Sequence, residues 1–383
     1  MKATMRTGER AGSAMGEVGA MTQADVEPGR PDIPDAPEAS EGVDAVDAAE
    51  APSKNDRATR RRRRTRRVLI GALTLLLVGV GGIAGAGWWA VEHYTGKVSR
   101  IPNAFPTDVP ASAQPKDTKG GETFLLVGVD RRSDLPTTGK DAKVSDWKYG
   151  AQRSDTMMLV HIPANHKNAY VVSLPRDSWV SIPGHGKAKL NAAFSWGGSP
   201  LLIDTVQRLT DVKIDHLAVI DWSGFKALTD SVGGVTLGGK AMNGEQALTY
   251  VRERYHLPRG DFDRTHRQQA FLRAVIAKTL TPSTFSSPLK AKKLLDQVTN
   301  TVSVDDQLSD SDLRDLLWSM KGVRSGDMVF MNAPVTGTDM IKGQSVVLLD
   351  ENGTSQLWEA MTNDTMADYI ATHSVDKLGA TTP

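Results

Sequence analysis

From residue 122 onward, apolar positions come in short blocks separated by polar turns. The run 124–129 is apolar or Gly throughout and ends at Asp130, which predicts a buried strand. Two more strands are predicted over 156–162 and 170–174, joined by a turn at 165–168. Helical spacing then takes over, with Leu201, Leu202, Thr205, Val206 and Leu209 on one face of 200–211. A strand over 216–220 precedes a helix over 225–232, which Gly233 and Gly234 stop. Helices follow over 243–253, 264–280, 287–300 and 310–321, the last with a stripe of Leu313, Leu316, Leu317 and Met320. Late strands over 328–331 and 346–349 and a short helix over 354–362 complete the pattern. Strands and helices alternate, with room for a hairpin near the start. The pattern predicts an α/β fold: a central mixed sheet covered by helices on both faces. Residues 122–370 show no internal repeat, heptad run or boundary, so they read as one domain able to bury a substantial core.

The N-terminal part is patterned differently. Residues 68–91 are apolar or Gly apart from Thr74, long enough to cross a hydrocarbon layer of ~30 Å as a single transmembrane helix. Trp88 and Trp89 stand near its far end, where amphipathic rings favour the headgroup zone. Arg57, Arg60 to Arg64, Arg66 and Arg67 precede it, and no such block follows. The positive-inside rule then predicts a cytoplasmic N-terminus and an extracytoplasmic remainder. An Arg block can also contact nucleic acid, but its place beside the span explains it more simply, and no nucleic-acid partner is expected. Within 1–56, acidic residues recur every third position from Asp32 to Glu50 among Ala, Pro, Ser and Gly, a composition that predicts disorder. The expected organisation is a cytoplasmic tail over 1–67, the span 68–91, a Pro-containing stalk over 92–121, the domain 122–370 and a tail over 371–383.

Charge and composition narrow the chemistry. The net charge of +1 shows no overall bias toward nucleic acid, and there is no Cys to act as a nucleophile. No Gly-x-x-x-x-Gly-Lys-Ser/Thr loop and no His-Glu-x-x-His pair occurs. His161, His166, His185, His216, His256 and His266 lack ligand spacing. What remains is a concentration of Arg and Asp in two stretches. In the first, Asp130 ends a predicted strand and Asp155 begins one; strand ends open onto the ligand crevice of an α/β sheet. Two carboxylates there can hold one Mg²⁺, with waters completing its shell. Taken singly, an Asp at a strand end is more often a turn or cap residue. Arg132, Arg153 and Arg176 share this placement, and Pro175 turns Arg176 out of the sheet.

The second stretch follows a helix that Asn243 is placed to cap. Arg252 and Arg254 lie two apart, so they reach one anion only if the helix unwinds near Arg252. Pro258 and Gly260 make a loop, and Asp263 is expected to cap the next helix. On that helix Arg264 and Gln268 share a face, with Arg267 adjacent. A helix N-terminus with Arg in its first turn is an anion site on physical grounds; the alternative is a salt-bridged surface helix. Arg is the side chain suited to bidentate recognition of phosphate.

These residues sit in motifs that resemble the LytR-CpsA-Psr (LCP) family. The matching stretches are Leu-Leu-Val-Gly-Val-Asp-Arg-Arg at 125–132, Arg-Ser-Asp-Thr-Met-Met at 153–158, Ser-Leu-Pro-Arg-Asp at 173–177 and Lys-Leu-Asn-Ala-Ala-Phe at 189–194. Asp-Ser-Val-Gly-Gly-Val at 230–235, Asn-Gly-Glu-Gln-Ala-Leu at 243–248 and the run 250–268 continue them in family order. The resemblance implies a membrane-anchored cell-wall ligase. Such an enzyme binds a polyprenyl-pyrophosphate-linked glycan and transfers the glycan phosphate to a peptidoglycan hydroxyl. It further implies Mg²⁺ or Mn²⁺ at Asp130 and Asp155, and pyrophosphate binding by Arg153, Arg176, Arg252, Arg254, Arg264 and Gln268, with Arg132 and Arg267 alongside. Arg176 and Asp261 are the expected catalytic pair, Asp261 orienting or deprotonating the incoming hydroxyl. Two departures stand out: only seven residues separate Val235 from Asn243, and residue 263 is Asp where many relatives carry Gly. The rival readings are a pyrophosphatase using water as acceptor and a non-catalytic lipid-glycan-binding regulator.

Overall fold

The computed structural model describes residues 99–131, 138, 152–253 and 257–379, all within one of two compact units, Gly71–Pro383. The expected tail 1–67, the expected span 68–91, the first part of the expected stalk, Arg132, most of residues 133–151, Arg254 and residues 380–383 lie outside them.

Seven strands form the central sheet: β1 (Ser99–Ile101), β2 (Glu122–Arg131), β3 (Gln152–Ile162), β4 (Ala169–Leu174), β5 (His216–Asp221), β6 (Ser303–Asp305) and β7 (Met328–Asn332). Their order is β1-β6-β5-β2-β3-β4-β7. β2, β3 and β4 run antiparallel in turn, whereas β5 lies parallel to β2, β7 parallel to β4 and β1 parallel to β6. The sheet is therefore mixed, as the spacing predicts. β2 reads as a continuous apolar run because both of its faces are covered. Leu125, Val127 and Val129 enter one core, and Phe124 and Leu126 the other.

Helices cover both faces. On the first, α1 (Leu190–Thr210) contributes Leu202, Ile203 and Val206. On the second, α4 (Asp261–Thr279) contributes Leu272 and Ile276, and α6 (Asp310–Ser319) contributes Leu313 and Leu316. The α7 helix (Glu351–Thr362) packs Leu357, Trp358 and Met361 into the first core. A satellite core joins α2 (Trp222–Ser231), α3 (Gly244–Arg252) and α4, with the rings of Phe225 and Phe271 stacked at 3.9 Å. The α5 helix (Pro288–Thr299) adds Ala291, Leu294 and Leu295 to the buried set.

Several boundaries differ from the expected ones, each for a physical reason. The α1 helix starts ten residues before its predicted beginning at 200, because the chain kinks at Gly198 (φ 64°) and resumes around Pro200. A positive φ is open to glycine, and Pro fits the first turn of a new segment. Part of the expected stalk packs on the domain: Ser99–Ile101 pairs with β6, and Ile101 and Ala104 are buried. A three-residue strand is too short to carry a period. Residues 371–378 of the expected C-terminal tail also pack on the fold. The α8 helix (Met366–Thr372) crosses residue 370, and Asp376 O and Leu378 N bond to Asn332 and Phe330 on the edge of β7. The seven residues between Val235 and Asn243 are a tight hairpin pairing Val235 with Met242.

Candidate functional site

β2 and β3 are antiparallel neighbours, so the end of one meets the start of the other, and Asp130 pairs with Arg153. The register shifts at Gly128–Val129: Gly128 faces Thr156 and Val129 faces Ser154, leaving Asp155 as the extra residue of a bulge. Bulges re-aim a side chain at a sheet edge. Gly128 permits the approach, since a Cβ there would lie 3.0 Å from Thr156 Cβ. β4 ends at Leu174, and Pro175 carries Arg176 back across the strand ends. There Arg176 Nη1 donates to Asp155 Oδ1. The Arg176 backbone is fixed as well, its carbonyl accepting from Asn191 N at 3.0 Å near the start of α1. Asp177 is held by Lys189 Nζ at 3.1 Å and lies 3.5 Å from Arg176 Nε.

Asp130, Arg153, Asp155, Arg176, Asp177 and Lys189 line one cavity of about 640 Å³. Four sequence-predicted residues thus meet in one place.

The second stretch reaches this cavity through charge. Asp261 opens α4 and is paired with Arg264, Nη2 to Oδ1 at 2.7 Å. Arg264 is 3% exposed. Burial opposes the Arg176 cation, but Asp155, Asp177 and Asp261 outweigh it and hold its pKa above the ordinary value. Asp261, paired with Arg264, is thus one of three carboxylates whose charge favours the Arg176 cation.

Arg252 is the last residue of α3, and Glu253 already has extended geometry (ψ 132°). The helix thus ends at Arg252, while Arg254, its expected partner on a shared anion, lies outside the described residues. Arg252 is exposed and its guanidinium lies 5.0 Å from the centroid of the Trp222 ring. Trp222 Nε1 in turn donates to Asp130 Oδ1 at 2.7 Å. Trp222 is absent from the sequence-predicted set, yet its place is derivable. β5 runs parallel to β2 with Asp221 opposite Val129, so the next residues, Trp222 and Asp130, are neighbours.

Arg252, Asp261, Arg264, Arg267 and Gln268 are not among the cavity lining. Arg267 sits 4.2 Å from the Tyr250 ring centroid and donates to the Tyr250 carbonyl, bracing the end of α3. Gln268 is half-buried. Its neighbour Gln269 is fully buried, its Nε2 within reach of Ser173 Oγ, Met331 O and Asn332 Oδ1, which ties α4 to β4 and β7. Its phase, three residues after buried His266 and one before Ala270, is the signal that separates it from Gln268. Asn243 caps α3 in a reciprocal box with Gln246, as expected. Asp263 does not cap α4, which begins two residues earlier. It is 3% exposed and accepts from both Arg259 N and Nε, so it closes the preceding loop.

Among the described residues no group of three or more His, Asp or Glu could hold a metal ion. The hard-oxygen pair Asp130 and Asp155, on one cavity wall, suits a cation that keeps several waters; Mg²⁺ commonly binds through one or two carboxylates.

The LytR_cpsA_psr family model matches residues 91–241 and 236–363. The cell wall biosynthesis protein LcpA of Corynebacterium glutamicum is 29% identical over 61% of this chain; the chain spans about half, 54%, of that relative's length. A polyisoprenyl-teichoic acid–peptidoglycan teichoic acid transferase TagU of Enterococcus faecalis is 30% identical over 62% of this chain and 78% of its own. Among solved structures, protein gbs0355 from Streptococcus agalactiae superposes with a TM-score of 0.53 at 25% identity, covering 68% of this chain and 91% of its own.

Proposed function

This chain belongs to the LytR-CpsA-Psr family, and we propose that it is a membrane-anchored, extracytoplasmic phosphotransferase. It would move a glycan phosphate from a polyprenyl-pyrophosphate carrier to a hydroxyl of peptidoglycan. The observation that carries this reading is the meeting of Arg153 and Arg176 with Asp130 and Asp155 in one cavity, Arg176 being held in place by Asp155. Such an arrangement binds a polyanion and keeps its own charges ordered before substrate arrives. The E. faecalis relative, a polyisoprenyl-teichoic acid–peptidoglycan teichoic acid transferase, supports the same reaction class. Anchoring rests on the apolar run 68–91; among the described residues no helix is long and apolar enough to cross a membrane.

The reaction is an in-line displacement at the glycan-bearing phosphorus. A peptidoglycan hydroxyl oxygen forms a new bond to that phosphorus, the bond to the bridging oxygen breaks, and polyprenyl monophosphate leaves. The hydroxyl proton passes to a base, for which Asp261 is the candidate; its ion pair with Arg264 fixes the carboxylate in place. Arg176 and Arg153 offer planar donors to oxygens on which charge grows, a preorganised stabilisation. Asp155 orients Arg176, and Trp222 orients Asp130. Mg²⁺ or Mn²⁺ held by Asp130 and Asp155 would supply further charge neutralisation at the pyrophosphate.

Incubating the full chain with a polyprenyl-pyrophosphate glycan, Mg²⁺ and peptidoglycan, then analysing the peptidoglycan by mass, tests the proposal. Glycan in phosphodiester linkage to peptidoglycan is expected. Released glycan phosphate instead would identify a pyrophosphatase, and bound but unaltered lipid a non-catalytic regulator. A reporter at the C-terminus should be active only outside the membrane.

A further inference from the structure

A second, larger groove of about 1140 Å³ lies beside the phosphate cavity. The two share Trp179 and Lys187 in their linings. Both residues stand on the hairpin formed by Trp179–Ile182 and Gly186–Lys189, in which Trp179 pairs with Lys189 and Ser181 with Lys187. Side chains at alternate positions share a face of a strand, so these four residues form one continuous floor running from the cavity into the groove. The far wall is α7. Glu351, Ser355 and Glu359 on it are spaced i, i+4, i+8 and all exposed, so they present a row of oxygen donors and acceptors along the groove.

The lining selects a ligand class. The lining mixes apolar side chains, Leu209, Leu348, Leu349 and Trp358, with carboxylates and hydroxyls; a purely apolar prenyl chain would strip water from the carboxylates without replacement bonds, whereas a ligand with both apolar and polar faces matches the mixture. A phosphate-rich polymer is disfavoured by sign: Asp211, Asp350, Glu351 and Glu359 line the groove against Lys187 and Arg208 alone. Arg208 is moreover engaged by Asp204 at 2.8 Å. Sugar hydroxyls both donate and accept, so they suit carboxylate, hydroxyl and amide groups together, and the half-exposed Trp179 ring offers a flat face to a pyranose. The volume exceeds the ~300–1,000 Å³ usual for a small-molecule site, which suits an extended chain.

We propose that this groove binds a hydroxyl-rich saccharide chain lacking phosphate charge, delivering one of its hydroxyls over the Trp179–Lys187 floor into the phosphate cavity. The proposal rests on the transfer reading of that cavity, in which such a chain is the acceptor.

The test uses the full chain and two probes, an N-acetylglucosamine tetrasaccharide for the groove and farnesyl pyrophosphate for the cavity, with affinities measured calorimetrically. Ser355→Trp, which fills the groove, and Glu359→Ala, which removes one acceptor, should each weaken the tetrasaccharide at least tenfold. Both should leave farnesyl pyrophosphate affinity and the melting temperature unchanged. Arg176→Lys should weaken farnesyl pyrophosphate alone. Tetrasaccharide affinity indifferent to both groove variants, or absent from the native chain, would overturn the proposal. Poly(glycerol phosphate) displacing the tetrasaccharide would overturn the assignment to an uncharged chain. Failure to bind farnesyl pyrophosphate, with the tetrasaccharide still sensitive to Ser355→Trp, would remove the cavity reading and leave the saccharide groove standing.

Discussion

The indole Nε1 of Trp222 donates to Asp130 Oδ1 at 2.7 Å. The same ring carries the Arg252 guanidinium at 5.0 Å, so one side chain joins an acid at the end of β2 to a cation at the end of α3. Trp222→Phe keeps the ring and deletes the donor. A hydrogen bond to a charged group contributes about 1.5–3 kcal/mol. Turnover should therefore fall roughly ten- to a hundredfold, with the divalent-ion concentration for half-maximal activity raised and the melting temperature little changed. Titrating activity against Mg²⁺ in both proteins checks this; identical curves would leave Trp222 a packing residue.

Arg176 should be intolerant even of Lys. The substitution keeps the positive charge beside Asp155 but loses the planar fork. Pyrophosphate affinity should drop about tenfold or more on the same magnitude of a charge-assisted bond. Arg176→Ala should lose both affinity and stability, because it leaves Asp155, 9% exposed, without this cation.

Gln269 and Gln268 separate structure from site. Gln269→Ala removes the buried amide that reaches β4 and β7 and should cost about 1–3 kcal/mol of stability, read as a lower denaturation midpoint. Gln268→Ala should leave the midpoint nearly unchanged. Equal midpoints for the two variants would contradict the placement of α4.

The sequence made the central elements legible because they are long and strongly periodic. The β2–β3–β4 strands, the helices on both faces and the Asn243 cap all follow from patterns within one segment. The α1 kink, the short hairpins and the strand at Ser99–Ile101 did not, since three or four residues carry no period and Pro200 reads as a break. The first cluster of Asp130, Arg153, Asp155 and Arg176 was legible from strand ends alone. Trp222 was not, because it needs the parallel register of β2 and β5, a relation between segments 92 residues apart. Gln268 and Arg267 stand out by the family resemblance and by their spacing from Arg264, neither of which says what the α4 helix packs against.

His161 sets an expected pH dependence. It is fully buried, with Nδ1 3.1 Å from Thr123 Oγ1 and Nε2 3.2 Å from Asp364 Oδ1. Burial pushes its pKa down, and Asp364 restores only part of the shift. The folded pKa is thus below the unfolded one, so the unfolded chain binds more protons between the two values. This stability is fully present above the ordinary histidine pKa of about 6.5 and is lost as pH falls from there toward the folded value. Melting temperature should decline between pH 7.5 and 5.5, with a smaller decline in His161→Gln. Asp305 and Asp376, whose pKa values are depressed despite burial, act in a lower window. A His161→Gln slope equal to the native one would contradict the assignment.

The central claim is that a pyrophosphate bond is exchanged for a phosphodiester in the cavity between Asp130, Asp155 and Arg176. The most direct measurement is phosphorus NMR of a polyprenyl-pyrophosphate saccharide incubated with the full chain, Mg²⁺ and peptidoglycan. The paired pyrophosphate signals should give way to one phosphodiester and one phosphomonoester in equal amounts, and Arg176→Lys should slow that conversion. Two phosphomonoesters in equal amounts, or a pyrophosphate signal that persists unchanged, would contradict the account.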